Sequence, residues 1–192
     1  MGGALRAFLA AALCCAAALP AGAEPIALDA SRSRAEFRVR VMWLVNVRGT
    51  FDGVHGTVEI DRFRNRAVVD ARIDATRVRM AAHGYEDWVK SSEFFDATAH
   101  PQIRFESAPF PLVRLHMGGE LPGVLTLRGI SQPVAFTLAP AGCERPGEAC
   151  PIVAHGVLRR SRFGMRSRLG TLADKVELRL SIYASAAAPD VP

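Results

Sequence analysis

Lysine, cysteine and aromatic residues are all scarce in this chain of 192 residues. Lys90 and Lys175 are the only lysines among 24 basic residues; 19 acidic residues leave a formal net charge of +5. That excess is too small to swell a chain into disorder. The arginine bias reads first as base-composition bias and only second as phosphate recognition. Four cysteines are too few for a disulfide-scaffold mini-protein, and 16 glycines and 12 prolines too few for a collagen-like or low-complexity chain. Aromatics, at 7%, fall short of the two girdles that an outer-membrane barrel carries. Long apolar runs are missing too. The one run, Ala7 to Leu19, has 13 residues. A membrane-spanning helix needs about 20.

Signatures of chemistry are also missing. There is no Gly-x-Ser-x-Gly, no His-Glu-x-x-His, no phosphate-binding Walker loop and no dinucleotide glycine fingerprint. The five histidines (His55, His83, His100, His116, His155) show no metal-ligand spacing. No catalytic residue, metal or cofactor is therefore expected. The carboxylates Glu86, Asp87, Glu93 and Asp96 flank a short helical segment and read as capping and solvating groups.

Residues 1–23 have the layout of a secretory leader. Arg6 precedes the apolar run, Pro20 breaks it, and Ala21-Gly22-Ala23 supplies small residues for cleavage after Ala23. Residues 24–192 are then one domain, expected in the periplasm. Cys14 and Cys15 leave with the leader, so Cys143 and Cys150 remain, on either side of the turn signal Pro146-Gly147. In an oxidising compartment these two are expected to form a disulfide.

The body of the chain alternates with period two. Ala35, Phe37, Val39 and Val41 oppose Glu36, Arg38 and Arg40. The same pattern recurs around Val54–Ile60, Ala67–Ile73, Ile103–Phe105, Leu125–Leu127, Val134–Leu138, Ile152–Leu158 and Val176–Ile182. With Ile26–Ser31 and Leu112–His116 there are ten such segments, read together as about eight or nine strands. Asp52-Gly53, Arg64-Asn65, Gly118-Gly119, Pro122-Gly123 and Arg128-Gly129 read as turns, and Gly84–Ser91 as the one short helix. One apolar and one charged face mean an antiparallel sheet, either a sandwich or a closed barrel.

Five motifs then occur in order: Ser33-x-Ala35-x-Phe37-x-Val39 with Val47-Arg48-Gly49-Thr50-Phe51; Lys90-Ser91-Ser92-Glu93-Phe94-Phe95-Asp96 with His100-Pro101-x-Ile103-x-Phe105; Leu125-Thr126-Leu127-Arg128-Gly129 with Pro133-Val134; Arg160-Ser161-x-Phe163-Gly164-Met165; and Asp174-Lys175-Val176-Glu177-Leu178. Together they resemble the YceI-like family of exported lipid-binding proteins, over roughly Ile26 to Ala184. The resemblance implies an all-β, eight-stranded antiparallel lipocalin-like barrel with an elongated apolar cavity. It also implies a polyisoprenoid, isoprenoid quinone or fatty amide as ligand. Tyr85-Glu86 stands where members often have Arg-Asp, Arg162 replaces an acidic residue and His100 a tyrosine. The Cys143–Cys150 loop is not part of the common pattern.

The expected lining is Phe37, Val39, Val41, Val69, Ile73, Ile103, Phe105, Leu125, Leu127, Phe136, Leu178 and Leu180, with Trp43, Trp88, Phe94 and Phe95 near the mouth or the helix. Arg159, Arg160, Arg162, Arg166 and Arg168 form a basic run. Arg160, Arg166 and Arg168 are the candidates for a head group or an anionic membrane surface. The competing reading of the run is a charged outer strand face. Nucleic acid is not an expected partner, because no stacking aromatics accompany the arginines. Oligomeric state is left open, with a homodimer as one option. The alternatives to a lipid carrier are a ligandless interaction barrel and a small cavity enzyme.

Overall fold

The computed structural model describes residues 25–82 and 84–185. The leader, Cys14, Cys15, His83 and the tail Pro189–Pro192 lie outside them. The elements run β1 (Pro25–Ala27), β2 (Arg34–Val41), β3 (Val45–Asp52), β4 (His55–Asp61), β5 (Arg66–Asp74), β6 (Val78–Met80), α1 (Glu86–Lys90), β7 (Gln102–Ser107), β8 (Phe110–Pro111), α2 (Arg114–Met117), β9 (Gly119–Leu127), β10 (Ile130–Leu138), β11 (Ile152–Arg159) and β12 (Leu172–Ile182). Every ladder between them is antiparallel.

The hydrogen-bonded order is β1-β4-β5-β7-β9-β10-β11-β12-β2-β3-β6, with β8 on β5. Its two ends are the same hairpin seen twice. β3 pairs with β6 through Gly49↔Met80 and Phe51↔Val78, and β4 with β5 through His55↔Arg72 to Asp61↔Arg66. β3 runs into β4 through a kink at Gly53-Val54, where Gly53 has φ +77°. β5 runs into β6 through a 3-10 turn at Ala75–Arg77, whose Asp74 side chain accepts from the Thr76 N–H at 2.9 Å. β1 likewise precedes β2, and β7 precedes β8. The twelve elements thus form eight bent strands whose ladder closes on itself, a lipocalin-like barrel. A closed barrel leaves few sheet edges.

Three expectations need correction. Asp52-Gly53 is a kink within a strand, not a reversal. Pro122-Gly123 lies inside β9: the Ala108 N–H donates to the Pro122 carbonyl at 2.8 Å, and proline, lacking an N–H, returns no bond, so the ladder to β7 ends there. Leu112–His116 is not a strand. Leu112 and Leu115 both pack on the core at helical spacing, and the segment winds into α2, a second short helix.

Inside the barrel, large rings lie flat against glycines of the next strand. Phe37 is the cross-strand partner of Gly49, and Phe136 of Gly156. A Cβ on Gly49 would sit 2.2 Å from the Phe37 ring, and one on Gly156 2.6 Å from the Phe136 ring. Phe105 covers Gly123 in the same way. Glycine weakens a strand, so its use here marks a close approach. The result is that three phenylalanines hug the wall instead of crossing the lumen.

The predicted disulfide between Cys143 and Cys150 is present, with Cα atoms 6.1 Å apart. Its loop lies across the end of the barrel where β2 begins and β12 ends, here called the lower end. The Ala184 N–H donates to the Gly147 carbonyl at 2.8 Å, and Arg32 Nη2 to the Glu148 carbonyl at 3.3 Å. Closing so short a loop restricts the unfolded chain, so Cys143→Ser/Cys150→Ser is expected to cost about 2–3 kcal/mol, read from urea unfolding of the oxidised protein and the variant. An unchanged midpoint would mean that the loop contributes nothing to the fold.

Candidate functional site: an apolar tube

The barrel is hollow. A cavity of about 1040 Å³ runs along its axis, at the upper limit for a drug-sized ligand. Its wall takes one face of nearly every strand. Val69, Ile73, Leu178, Leu180 and Ile182 point inward yet are only half-buried, because the space in front of them is open. Phe37, Val39, Val41, Val69, Ile73, Trp88, Phe94, Phe95, Ile103, Phe105, Leu125, Leu127, Phe136, Leu178 and Leu180 all line it, as placed from alternation and motif. Leu28, Val47, Met80, Leu121, Met165 and Leu172 also line it, beyond the lining expected from the sequence. Leu121 was hidden between two supposed turns. Val47 sits in a segment whose alternation is interrupted by Gly49.

Trp43 is a correction. It does not line the cavity and is 75% exposed. β2 and β3 are joined by three residues, Met42–Leu44, in a tight turn with the Leu44 N–H bonded to the Val41 carbonyl at 3.1 Å and φ of +46° at Met42 and +65° at Trp43. Such a turn favours Asn-Gly. Holding Met and Trp there costs on the order of 1–2 kcal/mol per residue. The reversal carries Trp43 off the inward face that Phe37, Val39 and Val41 share.

The upper end, beside this turn, carries a linked set of polar side chains, while Arg62 and Glu148 line the lower end. Glu93 gathers three partners: Trp88 Nε1 donates to it at 2.7 Å, Arg168 Nε at 3.0 Å, and the Ser167 hydroxyl closely. These bonds, Ser167 first and Trp88 next, hold the Glu93 carboxyl below its ordinary pKa. Arg168 lies 5.2 Å from the Trp88 ring centre, and Trp88 meets Phe94 edge-on at 4.5 Å. Glu93 is thus a positioning group for Trp88 and Arg168 at the cavity rim, beyond the capping role read from sequence.

Arg160, Arg166 and Arg168 do not act as one patch. Arg166 is exposed, and Arg168 lines the rim. Arg160 is 2% exposed and points inward, where it lines the cavity, which corrects the membrane-surface and outer-face readings for this residue. It opens a 3-10 turn, Arg160–Phe163, closed by Gly164 at φ +78°. Its guanidinium donates to the carbonyls of Ala173 (Nε, 3.0 Å), Met165 (Nη1, 2.9 Å) and Leu172 (Nη2, 2.9 Å). Burial pushes its pKa down from the ordinary arginine value, against the pull of Asp174 and Glu93. Among the described residues, no group of three His, Cys, Asp or Glu side chains is arranged to hold a metal.

The model of the YceI-like domain family matches residues 27–184. The chain belongs to the YceI-like family. A UPF0312 protein of Pectobacterium carotovorum is 26% identical over 158 residues, covering 77% of this chain and 78% of its own. Among solved structures, Burkholderia cenocepacia BcnA superposes with a TM-score of 0.61 at 21% identity, over 81% of this chain and 98% of its own. A polyisoprenoid-binding domain from Saccharophagus degradans, implicated in plant cell wall breakdown, gives 0.62 at 12% identity, over 84% and 98%. At these identities the superpositions establish the fold, and the YceI-like barrel accounts for the order of strands described above.

Proposed function

We propose that the protein is an exported, periplasmic carrier that encloses the chain of one long amphiphilic lipid, of the polyisoprenoid, isoprenoid quinone or fatty amide class, for transport or sequestration. One observation carries this reading: a barrel whose inner face is apolar along its length and whose centre is open. Each CH₂ moved from water into such a space is worth about 0.8 kcal/mol, roughly fourfold in affinity. Chain length therefore supplies most of the binding, and the head group lies near the upper rim with Trp88 and Arg168. The similarity to a polyisoprenoid-binding domain supports the same ligand class. A barrel serving only as an interaction scaffold has no use for an open interior.

The test is a graded series of prenyl alcohols titrated into delipidated protein. Affinity is expected to climb with each added isoprene unit and then level off when the tube is full. Affinity independent of chain length would contradict the proposal.

A further inference from the structure

The reversal between β2 and β3 presents four consecutive large apolar side chains to solvent. Met42 is 62% exposed, Trp43 75%, Leu44 86% and Val45 60%. They stand beside the cavity's upper end: Met42 and Val45 line the cavity, and the Met42 N–H bonds to the Thr171 carbonyl at 2.7 Å. Leu169, 43% exposed, lies in the adjoining loop. A contiguous exposed patch of this kind, unlike single exposed apolar residues, marks a contact surface. At the lower end the disulfide loop lies across the barrel, and the exposed Phe63, Val113 and Met117 are separate in sequence rather than consecutive.

Charge says what the patch meets. Arg40 and Arg48 flank the turn on the outer face of β2 and β3, and Arg166 precedes Leu169 in the neighbouring loop. All three are exposed and have no ion pair among the described residues. An apolar point bearing a tryptophan, rimmed by unpaired arginines, matches a membrane interface with anionic head groups around a penetrating side chain. The backbone agrees: a turn that calls for Asn-Gly keeps Met-Trp.

We propose that this turn is a membrane-docking point, seating the upper mouth of the tube on an anionic bilayer so that a lipid chain passes between bilayer and cavity without crossing water. The purpose of docking rests on the carrier reading; the docking itself does not.

The test is flotation of the native protein with vesicles of phosphatidylcholine alone and of phosphatidylcholine with phosphatidylglycerol, over a salt series. It compares the wild type with Trp43→Gly/Leu44→Ser, and a prenyl alcohol is loaded into both proteins in solution as a separate readout. Neither substituted side chain lines the cavity, and glycine accepts the positive φ at position 43, so the variant should melt no lower than wild type and load the alcohol equally. The wild type is expected to float with the anionic vesicles and to release as salt rises. The variant is expected to partition at least about tenfold less, the loss of two inserted apolar side chains. Docking is overturned if the wild type does not float or if the variant floats equally well. It is also overturned if sedimentation shows that the patch is covered by a second copy of the chain. Loading in solution without flotation would leave the carrier reading standing alone. Turn-dependent flotation without loading would support docking and remove the carrier reading.

Discussion

Replacing Arg160 with leucine is expected to lower stability by about 3–5 kcal/mol. The reason is what it leaves behind. Three carbonyls, of Met165, Leu172 and Ala173, converge on one guanidinium in a buried site. An abandoned buried acceptor costs about 1–3 kcal/mol, whereas a well-made bond returns only about 1. Leucine fills part of the volume and satisfies none of the three. Arg160→Lys is expected to recover less than half, because a compact ammonium cannot span three carbonyls that a planar fork reaches together. Arg166→Ala, at an exposed site in the same basic run, should stay within about 0.5 kcal/mol of wild type. Urea unfolding of the three variants measures this directly. A loss below about 1 kcal/mol for Arg160→Leu would show that the site is wet and the guanidinium replaceable by water.

The second large effect is on capacity. Gly49→Ala/Gly156→Ala adds two methyl groups to the barrel wall where the Phe37 and Phe136 rings now lie. The new Cβ atoms and the rings cannot share that space, and the only room for the rings is the lumen. Binding of the longest prenyl alcohol that wild type accepts is expected to fall at least about tenfold, since excluding two CH₂ groups already costs about 1.6 kcal/mol. Short alcohols, which need less of the tube, should bind nearly as before. Stability is expected to fall by about 1–3 kcal/mol, because Phe37 must leave its contacts with Phe51 and Phe95, and Phe136 its contact with Phe105. An equal loss for short and long chains would place the ligand elsewhere, and an unchanged profile would show that the rings do not set the bore.

These contrasts also mark what the sequence could carry. The alternation of Ala35, Phe37 and Val39 against Glu36 and Arg38 is a local signal of one strand, and it located most of the inward face. The Cys143–Cys150 staple followed from spacing, a turn and the expected compartment. What failed depended on where the chain turns. Trp43 keeps the odd-numbered phase of the inward residues, but the chain reverses at Met42-Trp43 before the phase can matter. Arg160 belongs by composition to a run of exposed arginines. The inward 3-10 turn that buries it is set by tertiary contacts with β12, which no local pattern encodes. The bent strands hid in the same way. A glycine that permits a reversal also permits a kink, so Asp52-Gly53 reads alike in both cases.

Hollowness was the least legible property. A filled and an empty barrel call for the same alternation, because each turns apolar side chains inward. The sign that separates them is Phe37 facing Gly49 and Phe136 facing Gly156, which becomes visible only when the strand register is known. Paired this way, a bulky residue spends its volume on the wall, and the axis stays free for a guest.

Native mass spectrometry of the protein, purified without detergent from the compartment where it accumulates, tests the occupied tube most directly. The expected spectrum shows a polypeptide carrying one noncovalent guest, with the mass of a single long-chain lipid, released on gentle activation and recovered in an organic extract. A bare polypeptide mass from several hosts, with nothing in the extract, would contradict the account.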